Sequence, residues 1–137
     1  MKNIESKIGS KIESSARKLL TDDRGWFLKV IDGNEKNNPF PCEVYITSAK
    51  PGESKGGHYH LRAQEWFTLI KGEALLSIID IVTLEMTKIK LSDATPETIY
   101  MPPGIAHSFQ NVGNIDFILL AFTDLKYTPT DTILYTF

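Results

Sequence analysis

Short apolar segments separated by turn-forming residues run through most of this chain and limit the folds it can adopt. Segments such as 66–70, 74–81 and 116–122 are rich in β-branched and aromatic residues, and Gly, Pro or Asn lies between them. No stretch after residue 20 repeats apolar residues at helical spacing over a useful length. Many short strands at close intervals indicate an all-β protein, and a small antiparallel jelly-roll barrel fits the pattern.

The predicted strands after the first 20 residues are 26–31, 43–47, 66–70, 74–81, 84–91, 98–101, 106–111, 116–122 and 132–137. Turn chemistry predicts one hairpin at Lys71-Gly72-Glu73 and another at Val112-Gly113-Asn114. Pro103-Gly104 suits a type II turn. Four aromatic residues are predicted to fill the barrel interior: Phe67, Phe109, Phe117 and Phe122.

Residues 1–20 are predicted to form an N-terminal arm, for which the sequence leaves two structures open. Ile4, Ile8 and Ile12 are four apart, as on one side of a short helix. Three serines between residues 10 and 15 weaken that interpretation, because serine competes with the helix backbone for hydrogen bonds. The alternative is a strand around residues 8–14 that pairs with another subunit.

Length and charge restrict the function as well. A chain of 137 residues is expected to form one domain, residues 1–137. Its net charge of −2 gives no electrostatic reason to bind nucleic acid or an anionic membrane, and the longest apolar run, 117–122, is too short to span a bilayer. The single cysteine, Cys42, excludes an internal disulfide, and no apolar leader is visible, so we expect a cytoplasmic protein.

The three histidines of the chain fall into two short motifs. His58 and His60 are two apart, and residues i and i+2 of a strand point to the same face. Glu65 shares strand parity with Phe67 and Leu69, so it faces inward if they do. A carboxylate buried in this way needs a partner. His107 lies in the second motif, after a Pro-Pro-Gly turn. Imidazoles with one carboxylate suit Zn, Mn, Fe or Ni, so these four residues are the predicted metal ligands.

The spacing of these residues resembles the two motifs of the cupin superfamily. From Gly52 to Gly72, the glycines, the His-X-His pair and the glutamate match the first motif at every interval. From Pro102 to Asn111, the proline, glycine, histidine and asparagine match the second, whose leading glycine is replaced by Pro96. The resemblance covers residues 52–111 and implies an RmlC-like jelly roll with the histidines at its mouth.

Narrower resemblances concern enzymes that act on nucleotide-linked sugars. The segment Asp23–Phe27 is similar to the first strand of dTDP-4-dehydrorhamnose 3,5-epimerases. Lys55–His60 is similar to the RGxHY segment of those epimerases and to the RGxHxH segment of dTDP-sugar 3,4-ketoisomerases, which residues 118–131 also resemble. Residues 50–137 resemble the metal-binding C-terminal cupin domain of capsule-synthesis enzymes.

These resemblances imply an epimerase or ketoisomerase that abstracts the proton next to the keto group of a nucleotide-linked 4-keto-6-deoxyhexose in polysaccharide biosynthesis. They imply catalytic roles for His58, His60 and Tyr100. The substrate-binding candidates are Lys55, Arg62 and Arg24. We also expect a homodimer, because open sheet edges are a liability and cupins commonly pair.

Two mechanisms remain open at this stage. Either the metal is the electrophile that stabilises the enolate, or His58 is the base of a metal-free enzyme. Glu65 favours the metal, because the ketoisomerases tend to carry glutamine at that position. A metal-dependent dioxygenase and a non-catalytic cupin that binds a sugar or another small ligand are the alternative functions.

Overall fold

The protein is a nearly all-β structure. The computed structural model describes residues 8–35, 37 and 41–137, and this part of the chain contains twelve strands and two short 3-10 turns, Ile8–Ser10 and Pro129–Asp131. The strands are β1 (Glu13–Ala16), β2 (Leu19–Asp22), β3 (Gly25–Leu28), β4 (Glu43–Ala49), β5 (Ser54–His60), β6 (Glu65–Lys71), β7 (Glu73–Asp80), β8 (Met86–Ser92), β9 (Glu97–Met101), β10 (Ile105–Asn111), β11 (Phe117–Thr123) and β12 (Thr132–Leu134). The predicted fold class is confirmed.

Two five-stranded antiparallel sheets face each other. The front sheet has the order β1-β9-β6-β11-β4, and the back sheet has the order β12-β5-β10-β7-β8. Within the described residues, strands β2 and β3 pair only with each other and form a separate hairpin, which we call the 19–28 hairpin. Consecutive strands of the barrel repeatedly switch between the sheets, as in a jelly roll.

The space between the two sheets is filled by side chains from both of them. Phe67 of the front sheet packs against Phe109 of the back sheet, with ring centroids 4.9 Å apart. Phe117 also lies in this core, as predicted, whereas Phe122 does not. Strand alternation turns Phe122 to the outer side of the front sheet, where its ring stacks on Trp66.

Both predicted hairpins are wrong, although the turns are where they were expected. Strands β6 and β7 flank Gly72 but lie in different sheets, and the same holds for β10 and β11 around Gly113. A Cβ atom at Gly72 would lie 3.0 Å from the Phe117 side chain, so glycine is needed where the chain crosses from sheet to sheet. A local turn signal does not specify which sheet receives the next strand.

The N-terminal arm is not a helix in the described residues. Ile8 and Ile12 are buried in the core, Ile8 in a 3-10 turn and Ile12 just before β1. The alternative prediction was a strand that pairs with another subunit. Strand β1 does form, but it pairs with β9 of its own chain. Lys11 forms an ion pair with the buried Asp80, which ties the arm to the end of β7. Ile4 lies outside the described residues.

The outer side of the front sheet is unusually apolar. Val44 and Ile46 of β4 are 62% and 70% exposed, and Ile118 of the neighbouring β11 is 36% exposed. We call these three residues the outer patch. The 19–28 hairpin also exposes apolar side chains, including Trp26 and Phe27. Among the described residues, no helix is both long and apolar enough to cross a membrane.

Candidate metal centre

The four predicted ligands meet at one end of the barrel, between the two sheets. His58 and His60 lie on β5, His107 on the adjacent β10, and Glu65 begins β6 of the front sheet. One ligand atom from each residue lies within 4.8 Å of the others. Two ligands on opposite sides of an ion with bonds of about 2.1 Å are about 4.2 Å apart, so a small contraction brings all four into coordination distance.

An irregularity in the back sheet brings two of the histidines together. His107 pairs with His58 across β10 and β5, and the register shifts immediately after His107. Gly56 sits at this bulge with a φ of 99°, and a Cβ atom there would lie 2.7 Å from the His107 carbonyl oxygen. Glycine is therefore required for the two strands to approach closely enough to juxtapose the imidazoles.

Three buried polar atoms converge in this cluster without hydrogen bonds. His60 Nε2 is 2.9 Å and His107 Nε2 is 3.3 Å from Glu65 Oε1. Despite these short separations, none of the three atoms has a geometrically acceptable hydrogen bond within the described part of the chain. Buried polar atoms left this way are costly unless another group satisfies them. The donor set, three imidazoles and a carboxylate, fits a borderline divalent ion.

The charges of the cluster suit cation binding. Burial alone would raise the pKa of Glu65, but the His107 and His60 imidazoles beside it outweigh burial and lower the pKa to about 2. Burial, followed by the neighbouring His107 and His60, lowers the pKa of His58 to about 4. Near neutral pH the cluster therefore contains an ionised carboxylate and a neutral His58 whose ring can offer a lone pair.

A cavity of about 340 Å³ opens onto His58, His60 and Glu65. Its far wall is formed by residues 123–128 of the C-terminal segment, which include Lys126 and Tyr127. This volume lies within the range of roughly 300 to 1,000 Å³ that is common for small-molecule sites. A smaller cavity of about 190 Å³ lies beside His58 and His107 and is lined by Lys55 and Thr47.

The other predicted site residues are placed differently from one another. Lys55 lines the smaller cavity, next to the histidines. Arg62 is exposed just beyond His60, with its Nε 3.7 Å from an oxygen of Asp131. Arg24 lies in the 19–28 hairpin, where it is exposed and pairs with Asp22. The structure thus brings Lys55 to the metal ligands but places Arg24 outside both cavities that contain them.

Tyr100 is not part of the cluster, and a different tyrosine occupies the site. Tyr100 is the cross-strand partner of Trp66, and both side chains lie on the outer side of the front sheet. There the Tyr100 hydroxyl donates a hydrogen bond to Gln64. Tyr45 points inward from β4 and donates to Glu65 Oε2 at 3.3 Å. Burial and the charge of Glu65 raise the pKa of Tyr45, so its hydroxyl stays protonated. Sequence reasoning missed Tyr45, and strand parity within the predicted strand 43–47 is the signal that could have found it.

Comparisons with known proteins agree with this fold. The sequence profile of a family described as polysaccharide biosynthesis C-terminal domain matches residues 20–135. The spore coat polysaccharide biosynthesis protein SpsL of Bacillus subtilis is 24% identical over 120 residues, which cover 82% of this chain and 80% of SpsL.

Two further similarities differ in how much of the other protein they cover. A UDP-2-acetamido-2,6-beta-L-arabino-hexul-4-ose reductase of Pseudomonas aeruginosa is 28% identical over 106 residues, which cover 77% of this chain. The match spans only 27% of the length of that reductase. The crystal structure of a dTDP-4-dehydrorhamnose 3,5-epimerase from Sulfolobus tokodaii superposes with a TM-score of 0.83 at 22% identity, covering 96% of this chain and 81% of the epimerase. The fold is therefore that of the RmlC-like cupins.

Proposed function

The chain belongs to the polysaccharide biosynthesis C-terminal domain family, and from that premise we propose that it is a nucleotide-sugar isomerase with a divalent metal at His58, His60, Glu65 and His107. The proposed substrate is a nucleotide-linked 4-keto-6-deoxyhexose, and the proposed reaction moves the proton next to the keto group. The observation that carries the proposal is the convergence of four ligand atoms within 4.8 Å, beside a ligand-sized cavity that three of the four residues line.

The substrate class rests on the named relatives. The reductase of Pseudomonas aeruginosa is named for a UDP-linked keto sugar, and the epimerase of Sulfolobus tokodaii is named for a dTDP-linked one. A keto group acidifies the neighbouring C–H bond, so one site that removes and returns this proton serves either epimerisation or carbonyl migration. The proposal is limited to this shared proton-transfer step.

The residues of the cavity have separate roles in this scheme. When bound, a divalent ion supplies Lewis-acid polarisation of a carbonyl oxygen. Glu65 supplies the negative charge that holds the cation, and Tyr45 keeps one Glu65 oxygen hydrogen-bonded at the cavity wall. Lys126 lines the larger cavity and Lys55 the smaller one, and these two lysines are the proposed ligands of the nucleotide phosphates. In the alternative mechanism, neutral His58 takes the proton itself.

Solvent hydrogen exchange tests the proposal directly. We expect the protein to exchange the hydrogen next to the C4 carbonyl in D2O when it is given a panel of dTDP-, UDP- and GDP-linked 4-keto-6-deoxyhexoses. His58→Asn should abolish exchange under either mechanism, whereas Asp116→Asn, in an exposed turn, should not change it.

Chelation separates the two mechanisms. If the metal supplies the electrophile, a chelator stops exchange and added metal restores it. If His58 is the base of a metal-free enzyme, exchange continues in the chelator. No exchange with any substrate of the panel would remove the isomerase proposal, and oxygen consumption with Fe would then identify a dioxygenase. Ligand-induced stabilisation without turnover would identify a binding protein.

We also propose that the chain acts as a homodimer. An antiparallel sheet with one face in water normally alternates apolar and polar residues, but β11 reads FILLAFT and is apolar on both faces. The outer patch and the 19–28 hairpin together expose more aliphatic and aromatic surface than a solvated face requires. Because β1 already pairs within its own chain, the hairpin is the N-terminal segment that we expect to reach a second copy.

A further inference from the structure

The four-residue turn between two of the proposed ligands, Leu61–Gln64, is held by the C-terminal segment of the chain. His60 ends β5 in the back sheet, and Glu65 begins β6 in the front sheet, so this turn alone connects them along the chain. Its geometry therefore sets the distance between an imidazole and the carboxylate that must share one ion. Any residue that fixes the turn also fixes that distance.

Every backbone N–H of the turn donates to one of two aspartates. Leu61 N–H donates to the carbonyl oxygen of Asp131 at 3.0 Å. Arg62 N–H and Ala63 N–H donate to the two side-chain oxygens of Asp131 at 2.8 and 3.2 Å. The Gln64 N–H donates to Asp124 Oδ1 at 2.7 Å. Asp131 thus accepts three of the four N–H groups, two of them with its side chain.

Asp131 is placed to act on His60 as well as on the turn. Asp131 is only 6% exposed, and its Oδ2 lies 3.7 Å from His60 Nδ1. The hydroxyl of Thr132 is 3.3 Å from the same nitrogen. A carboxylate near Nδ1 favours the tautomer that carries its proton there, which leaves the Nε2 lone pair for the ion that His60 would share with Glu65 Oε1.

We propose that Asp131 is a positioning residue for the metal centre: its carboxylate fixes the Leu61–Gln64 turn and the orientation of His60, and so controls how tightly and in what geometry the ion is held. This inference rests on the proposed metal site and extends it to a residue about 70 positions away in the sequence. The C-terminal segment then has two functions, since residues 123–128 also form the cavity wall.

The variant Asp131→Asn tests this role. An asparagine side chain keeps one oxygen but presents an NH2 group to the other backbone N–H, so one of the two side-chain hydrogen bonds is replaced by two opposed donors. We expect the affinity for Co²⁺ to fall by about 10- to 100-fold, as is typical when an outer partner of a metal ligand is changed. We also expect the visible Co²⁺ absorption spectrum to change, because His60 reorients.

The matched control is Asp93→Asn. The Asp93 carboxylate also accepts a backbone N–H, that of Gly72 at 2.7 Å, but at the opposite end of β6 from Glu65. The Asp93→Asn variant disturbs the same kind of contact away from the site, so its Co²⁺ affinity and spectrum should match those of the wild type. If Asp131→Asn does not fold, Asp124→Asn, which disturbs only the Gln64 contact, should show a smaller loss in the same direction.

The outcomes separate this inference from the metal proposal. Wild-type protein that binds Co²⁺ while Asp131→Asn, or Asp124→Asn if it is needed, retains wild-type affinity and spectrum would overturn the positioning role and leave the metal site standing. Wild-type protein that binds no Co²⁺ would overturn the metal site, and the positioning role with it. Weaker binding and a changed spectrum in the variant alone would support the inference.

Discussion

The Leu61–Gln64 turn with the adjoining ligand residues, which we call the mouth, and the 19–28 hairpin are both built from short strands and turns. They differ in how many contacts hold them to the rest of the protein. At the mouth, all four N–H groups of the turn after His60 are bound, and Glu65 and His107 are buried. In the hairpin, the strands pair only with each other, and Trp26 is 60% exposed. An isolated two-stranded hairpin is marginally stable at best.

The contrast separates a region whose backbone contacts are made within the chain from a region whose apolar side chains are exposed to solvent. At the mouth, the turn backbone is hydrogen-bonded within the chain, whereas three of the proposed ligand atoms and the hydroxyl of Thr128, which also lines the cavity, have no hydrogen bond in the described part of the chain. The hairpin strands are hydrogen-bonded to each other but expose apolar side chains, which is the feature on which the proposed dimer rests. The following predictions test each half of the comparison.

The largest effect is expected from Glu65→Gln. The change removes the anionic ligand but keeps the size of the side chain, so metal affinity should fall by more than about 100-fold, beyond the loss typical of outer partners. Isothermal titration with Co²⁺ measures this loss. The control is Glu73→Gln, since the Glu73 carboxylate is solvent-accessible on β7 and only 3.7 Å from Lys90 in an exposed pair. Equal affinities in the two variants would contradict the assignment of Glu65.

A second prediction concerns the hairpin. Phe27→Ser removes a side chain that is 56% exposed in one chain and buried in the proposed dimer. Burial of a phenylalanine contributes roughly 1.5 to 3 kcal/mol, so the dimer dissociation constant should rise by about 10- to 100-fold. Sedimentation or light scattering over a concentration series measures this change.

The matched control for the hairpin is Val82→Ser, in the turn between β7 and β8. Val82 is also an apolar residue, and it is 82% exposed, compared with 56% for Phe27. Unlike Phe27, it lies outside the outer patch and the hairpin. It should leave association unchanged. A wild-type protein that is monomeric at micromolar concentration would remove the dimer proposal altogether.

The smallest effect is the release of protons on metal binding. Burial lowers the pKa of His60, but the adjacent carboxylate of Glu65 and the nearby Asp131 outweigh it, so the pKa is raised above its ordinary value of 6.5. At pH 6.5 more than half of the metal-free protein therefore carries a proton on His60, which a bound ion displaces. Calorimetry in buffers of different ionisation enthalpy should show proton release that declines as the pH rises.

The sign of this pH dependence is a further check on the cluster. His58, with its pKa lowered to about 4, contributes no proton at pH 6.5, so the release followed here should come from His60, whose pKa is raised. Metal affinity should fall as the pH is lowered from 8 to 6. An affinity that stays constant over this interval would mean that the imidazoles do not bind the ion.

The sequence predicted the fold class and the ligand cluster better than it predicted the connections between strands. His58, His60 and Glu65 are close in the chain, and strand parity predicted that the two histidines share one face of their strand and that Glu65 points inward from the next. The hairpins at Gly72 and Gly113 were wrong, because turn residues specify a change of direction but not the sheet that the chain enters next. The arm was ambiguous, because Ile8 and Ile12 are buried without a helix.

The residues that sequence reasoning missed are those brought to the site from far along the chain. Asp131 lies 68 or more positions from the N–H groups that its side chain binds, and Tyr45 lies 20 positions from Glu65. Neither occurs in a motif with the histidines. Tyr100 was chosen because it precedes the second motif, but strand alternation turns it to the outer side of the front sheet. For Asp131, Tyr45 and Tyr100, proximity in sequence to the histidine motifs was therefore a poor guide to proximity in the structure.

The central claim is that His58, His60, Glu65 and His107 hold a divalent ion, and elemental analysis of the purified protein tests it most directly. We predict about one first-row divalent ion per chain, as purified or after reconstitution, as for a mononuclear site with four protein ligands. The Glu65→Gln variant, treated identically, should retain much less. Wild-type protein that carries no metal before and after reconstitution, while remaining folded, would contradict the account.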